Sequence, residues 1–170
     1  GQYTFIAGDE WSATTERSWM IDAGGAGSGN YIRWTHHSAI VSASWTPDTN
    51  WHHFAVAIDS GTQKVYLDGT LLVTGNRNSQ WGNAAGSKLI IGNGGVSAGG
   101  YSQATHGYID ELRWSNNVRY TANFTPSTEA FTTDGNTLLL MHGDSSGQLF
   151  VDDSYTSGKQ TQLHGWAVNY

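Results

Sequence analysis

Cysteine is absent from this 170-residue chain, proline occurs twice, and only 13% of the residues are charged. The lack of cysteine excludes a disulfide framework and thiol chemistry but leaves the compartment open. An average globular chain is about 25% charged, so the surface here must be polar by other means. Eight Lys and Arg stand scattered against fourteen Asp and Glu, for a net charge of −6. Phosphate binding needs clustered basic groups, so no nucleic-acid partner is expected. No apolar run approaches the ~20 residues of a membrane span, so no membrane insertion is expected. No stretch sustains a helical apolar period, which predicts almost no helix.

What the chain has in quantity is glycine (22 residues) and aromatics (12%). Together with abundant Ser, Thr and Asn, these suit short strands joined by tight turns. The richest stretch is WHHFAVAIDSGTQKVYLDGTLLVTG, residues 51–75. Phe54, Val56 and Ile58 alternate with Ala55, Ala57 and Asp59, the period of a half-buried strand. Ser60-Gly61 interrupts the run, and Val65 and Leu67 then alternate with Lys64, Tyr66 and Asp68. Asp68-Gly69 signals a type I′ hairpin turn, because both central residues need positive φ. Leu71 and Val73 continue the pattern on the return strand.

Further strands are predicted over residues 3–7, 18–22, 30–34, 39–44, 88–92, 107–114 and 136–142, with others near the end, the last over 162–168. The run 136–142 is nearly all apolar and reads as buried on both faces. Polar loops fill 76–86 and 93–105, and 118–124 reads as a single helical turn before Pro126. No composition shift marks a linker, so residues 1–170 are expected to form one domain. Short strands at this spacing predict an all-β, two-sheet antiparallel sandwich or jelly roll.

Several separated segments resemble one family. The pattern W-H-H-hydrophobic-A-V followed by Y-x-D-G is similar to the laminin-G-like (concanavalin A-like) jelly-roll domains. GYIDELRW (107–114) resembles that family's G-x-I-D-E-hydrophobic-R strand. RYTANFTPST (119–128) is similar to a tail in the phage and bacterial versions. NTLLLMHGDSSGQLFVDDS (136–154) resembles the segment that opens such domains, yet here it comes last. The rotated order fits a circular permutation, or a piece of a tandem array whose last strands begin the next copy.

The fold also hosts glycoside hydrolases, which resemble one another in a strand with acids at alternating positions, so that two carboxylates flank one bond. The acidic pairs here are adjacent: Asp9-Glu10, Asp110-Glu111 and Asp152-Asp153. Strand neighbours point to opposite faces, so Asp110 and Glu111 are not a catalytic pair. Asp110 reads as a structural acid at a sheet edge, and Glu111 as the partner of Arg113 or another basic group. No catalytic residue is assigned. Seven histidines include the pairs His36-His37 and His52-His53, which do not converge as zinc ligands do. His53 reads as a packing residue. The resemblance implies that Ca²⁺ at the sandwich rim is open as an alternative, with Asp22, Asp59, Asp110 and Asp144 near strand ends. No loop spells D-x-D-x-D-G, so no metal or cofactor is assigned.

Sugar sites present an aromatic face beside amide and carboxyl side chains. Trp19, Trp51 and Trp114 fall in strand patterns and read as core. Trp81 lies in the polar loop NRNSQWGN, Tyr101 lies in GGYSQ, and Trp34 ends a strand beside His36 and His37. The expected ligand-binding set is therefore Trp81, Tyr101, Trp34, Asn76, Asn78, Gln80 and Asn83, on long loops where function concentrates. The resemblance implies a non-catalytic binding or adhesion module for a cell-surface glycan or receptor. Its expected place is extracellular or the virion surface, in a phage tail fibre or a bacterial surface protein. The alternatives are a virion protein that contacts other viral structural proteins, as an oligomer in a larger assembly, and third a glycoside hydrolase.

Overall fold

The computed structural model describes residues 2–8, 19–24, 29–36, 39–76, 89–92, 96–97, 100–101, 105–143 and 151–152. Among these there is no helix, and all strand pairs are antiparallel. The chain divides into two compact units, residues 1–108 with 120–126, and residues 109–119 with 127–170.

The first unit contains β1 (Gln2–Gly8), β2 (Trp19–Gly24), β3 (Tyr31–His36), β4 (Ala39–Ser44), β5 (Phe54–Asp59), β6 (Thr62–Leu67), β7 (Thr70–Asn76), β8 (Leu89–Ile91), β9 (Val96–Ser97) and β10 (Gly100–Tyr101). One sheet has the order β4-β3-β2-β1-β8, a second has β5-β6-β7, and β9 and β10 form a ribbon. That ribbon lies within the stretch 93–105, where only a loop was expected. Side chains alternate along a strand, and the register places Ile21, Trp34 and Val41 in one row across β2, β3 and β4. Val56, Val65 and Val73 form a row across β5, β6 and β7. These rows meet: Trp34, Val41 and Val65 make the buried cluster, with Ile21, Phe54, Val56, Ile58 and Val73 packed on it. The result is the expected two-sheet sandwich.

A polar pair sits inside this core. Gln63 is fully buried. Its amide oxygen accepts the Trp34 indole N–H, and its amide nitrogen donates to the Asn76 carbonyl at 3.2 Å. A buried amide costs little once both ends are bonded.

Strand β6 is covered on its other side as well. Tyr66 points away from Val65, and alternation alone would place it in solvent, yet both are fully buried. The cover is the segment 120–126. Tyr120 and Phe124 stack at 3.6 Å with planes 8° apart. Tyr66 meets them edge-on at 6.2 and 5.5 Å, and His53 does so at 6.0 and 5.4 Å. His53 is thus the packing residue expected of it. The segment is not the helical turn that was expected. Its backbone and side-chain polar groups go outward to the sheet instead. The Thr121 carbonyl accepts Lys64 Nζ at 2.8 Å, Asn123 Oδ1 accepts the Leu71 N–H at 2.9 Å, and the Phe124 N–H donates to the Gly69 carbonyl at 2.9 Å.

The second unit holds β11 (Leu112–Ser115), β12 (Thr137–His142) and β13 (Val151–Asp152), in the order β11-β12-β13. The apolar strand β12 is paired on both edges, as expected. It is not buried on both faces throughout: Leu140 and Met141 are buried, whereas Leu138 is exposed. The strand expected over 107–114 begins only at Leu112, because Glu111 adopts φ 53° and breaks the extended run. Asp110 Oδ1 accepts the Gly143 N–H at 2.6 Å, the structural role expected of it. Arg119 grips both oxygens of Asp134 at 2.9 and 2.8 Å. That fork holds Asp134 well below the usual carboxylate range, helped by the Asn136 N–H. Residues 162–168 lie outside the described residues.

Asp68 and Gly69 have φ of 50° and 75°, the signature of the type I′ turn. A Cβ at Gly69 would also strike the Phe124 carbonyl, whereas one at Gly61 (φ 89°) would meet nothing within 4 Å. Gly61→Ala is therefore expected to cost about 1 kcal/mol from backbone strain alone. Gly69→Ala adds the clash and should cost at least about 1 kcal/mol more. Thermal melts of the two variants check this, and equal losses would mean that residues 124–126 do not clamp the turn.

Candidate ligand-binding site

The segment between β4 and β5 is short and closely tied. Asp48 Oδ1 accepts the Asn50 N–H at 2.7 Å, an Asx turn that suits Thr46-Pro47-Asp48. The His52 ring lies between two carboxylates, with Nε2 3.0 Å from Asp48 Oδ1 and Nδ1 2.8 Å from Asp68 Oδ2. Trp45 meets that ring edge-on at 5.4 Å. One residue on, the backbone is fixed as well: the His53 N–H donates to Asp68 Oδ1 at 2.9 Å, and the Asp68 N–H donates to the His53 carbonyl at 2.8 Å. The W-H-H and Y-x-D-G patterns are therefore two halves of one clamp.

Two acceptors on one imidazole raise its pKa above the ordinary 6.5, with Asp68 contributing most and then Asp48. Asp48 lies below its ordinary 3.8, through the Asn50 N–H first and His52 second. Partial burial pushes Asp68 up, but its bonds to His52 and the His53 N–H outweigh this and leave it lowered. Both signs favour an imidazolium between two carboxylates.

Trp51 stands between these anchors. The sequence places it in the core, but β5 starts three residues later, and Trp51 is 70% exposed. Beside it is Tyr108, 90% exposed. Their ring centroids are 6.5 Å apart with planes inclined by 37°.

Of the expected binding set, Trp34 is corrected. It is 2% exposed in the sandwich core with its N–H committed to Gln63, so it offers no face to a ligand. Alternation along β3 puts it on the same inner face as Ile32, a register that the neighbouring histidines obscured. Asn76 is exposed at the end of β7. Tyr101 falls in β10, paired with Val96, and its side chain is outside the described residues. Asn78, Gln80, Trp81 and Asn83 also lie outside them, as do His37 and the side chain of Trp19.

Each described acid weighed for calcium has a local partner. Asp22 is buried on the outer side of its sheet, 2.7 Å from Arg33 Nε and 3.3 Å from the Tyr31 hydroxyl. Burial and Asp22 together raise the Tyr31 pKa. Asp59 accepts the Ser60 hydroxyl, Asp110 holds the Gly143 N–H, and Asp144 lies outside the described residues. Among the described residues no three His, Asp or Glu side chains group to hold a metal ion. Glu111 pairs with His142 Nδ1 at 2.6 Å and accepts the Phe131 N–H, so its basic partner is His142. Arg113 lies over the Phe131 ring at 4.1 Å.

A family model described as the concanavalin A-like lectin/glucanases superfamily matches residues 2–123. The chain belongs to this family, whose laminin-G-type domains are carbohydrate- or receptor-binding modules. No curated protein and no solved structure matches the chain.

The clamp sets a pH dependence. A raised His52 stabilises the fold fully below 6.5, and this is lost as pH rises through its folded pKa. Lowered Asp48 and Asp68 stabilise it above 3.8, and this is lost as pH falls through their folded pKa values. The melting-temperature difference between the wild type and His52→Gln should therefore peak between 3.8 and 6.5 and shrink on both sides. An NMR titration placing His52 at or below 6.5 would contradict the clamp.

Proposed function

We propose that the protein is a non-catalytic adhesion module that binds cell-surface carbohydrate from an exposed position. A phage virion component such as a tail fibre comes first, and a bacterial surface protein second. Family membership supports a binding module, and the 119–128 segment is similar to a tail found in phage and bacterial versions of these domains. The observation that carries the non-catalytic reading is how carboxylates among the described residues are used. Asp22 faces Arg33, Asp48 and Asp68 share His52, Glu111 holds His142 and the Phe131 N–H, and Asp134 is forked by Arg119. A glycosidase needs two carboxylates facing a common bond, ~5–9.5 Å apart. Acids committed one by one to scaffold bonds do not serve that chemistry.

Incubation with an array of glycans and with intact host-type cells should give binding without release of reducing sugar. Release that disappears in Glu111→Gln would overturn the non-catalytic reading. Failure to bind any glycan or cell would favour a structural role in subunit contacts.

A further inference from the structure

We infer that Trp51 and Tyr108 form a stacking platform for a pyranose ring of a neutral glycan. The inference rests on the carbohydrate reading above and assigns it a place in the fold. Large aromatic side chains are seldom left this open: Trp51 is 70% and Tyr108 90% exposed, although tryptophan is on average well buried. The two rings lie next to each other, 6.5 Å between centroids, so they form one surface feature. Their 37° inclination means that they meet obliquely rather than stacking on each other's faces. An apolar sugar face fits against such a ring, while hydroxyls at its rim reach polar groups.

The mount is rigid. Trp51 follows the turn closed by the Asn50 N–H on Asp48, and it precedes two histidines tied to Asp68. A ring on a fixed backbone loses little conformational freedom on binding, which favours affinity. The same turn supplies polar groups for hydroxyls, since Asp48 and Asn50 are both exposed.

Charge and area select the ligand. Two carboxylates share a single imidazole, which carries at most one positive charge, so the turn is net negative, within a chain of net charge −6. An acidic sugar would be repelled, so a neutral one is favoured. Two aromatic side chains offer roughly 150–250 Å² each. A stable protein interface needs ~800 Å² from each partner. A sugar matches the size of this feature better than a protein surface does.

The test uses the full chain against an immobilised array of neutral and sialylated oligosaccharides, followed by titration calorimetry on the strongest soluble ligand found. Trp51→Ala and Tyr108→Ala should each weaken binding at least tenfold with an unchanged melting temperature. Trp51→Phe and Tyr108→Phe should retain most of it. Trp81→Ala with Tyr101→Ala tests the rival loop site in parallel. Binding that survives Trp51→Ala with Tyr108→Ala, or is abolished only by the Trp81 and Tyr101 changes, overturns the platform and leaves the carbohydrate reading intact. Preference for sialylated over neutral glycans overturns the ligand class. Absence of binding by the intact protein overturns the carbohydrate reading and the platform together. If sedimentation shows the wild type to self-associate and Trp51→Ala makes it monomeric, the rings are a contact between copies and the platform is overturned.

Discussion

One carboxylate organises the part of the molecule on which binding is placed. Asp68 occupies a left-handed turn position, and its two oxygens hold different neighbours: one the backbone N–H of His53, the other the ring of His52. The hairpin β6–β7 and the approach to β5 are thereby tied at one point. Its neighbour Gly69 lets residues 124–126 come within backbone contact of the turn. That carboxylate ties the turn to the entry of β5, and the residue after it ties the turn to the strap over Tyr66. The network lies at the surface, with the Asp48 and Asp68 side chains about half exposed, and it fixes the backbone on either side of Trp51 through its geometry rather than through burial.

The three-stranded sheet is accordingly not a solvent-facing layer. Its inner face meets the five-stranded sheet through Val56, Val65 and Val73. Its outer face is roofed by Tyr120 and Phe124 over Tyr66. With β6 buried on both sides, this sheet supplies a stiff base, and the polar work of the surface falls to its turns. The second unit follows a similar economy. Asp110, Glu111 and Asp134 are spent on the chain segments flanking β11 and β12. The acidic residues most suggestive of chemistry in the sequence are the joints of the scaffold.

The strand pattern was legible wherever alternation was simple. Ala39–Ser44 and the hairpin around Asp68-Gly69 follow from apolar spacing and turn chemistry alone. What failed depended on partners distant in the chain. Tyr66 reads as solvent-facing because its cover lies more than fifty residues away. The strand over 107–114 is cut short by Glu111, whose positive φ no propensity foretells. Trp51 and Trp34 were exchanged in role. The first adjoins the apolar alternation of β5 but lies before the strand begins, and the second sits beside polar histidines but points inward. A single residue of phase decides between core and surface, and local composition does not carry that phase. The binding residues expected in the 76–86 loop belong to a stretch of which only Asn76 is described, whereas Trp51 and Tyr108 are paired by geometry that no local pattern signals.

The hydrogen bond between Trp34 and Gln63 has a consequence for how such a chain can change through descent. The two residues belong to different sheets and stand 29 positions apart. Replacing the indole alone strands an amide oxygen in an apolar interior, and replacing the amide alone strands an N–H. Either step costs more than the bond itself contributes, whereas exchanging both for apolar side chains of similar shape leaves only the Asn76 carbonyl, at the end of β7, to find another donor. The positions are therefore linked as a unit of inheritance: a lineage crosses between the polar and the apolar version in one double step, or through a destabilised intermediate. Sequences on the two sides of that barrier should carry both residues or neither.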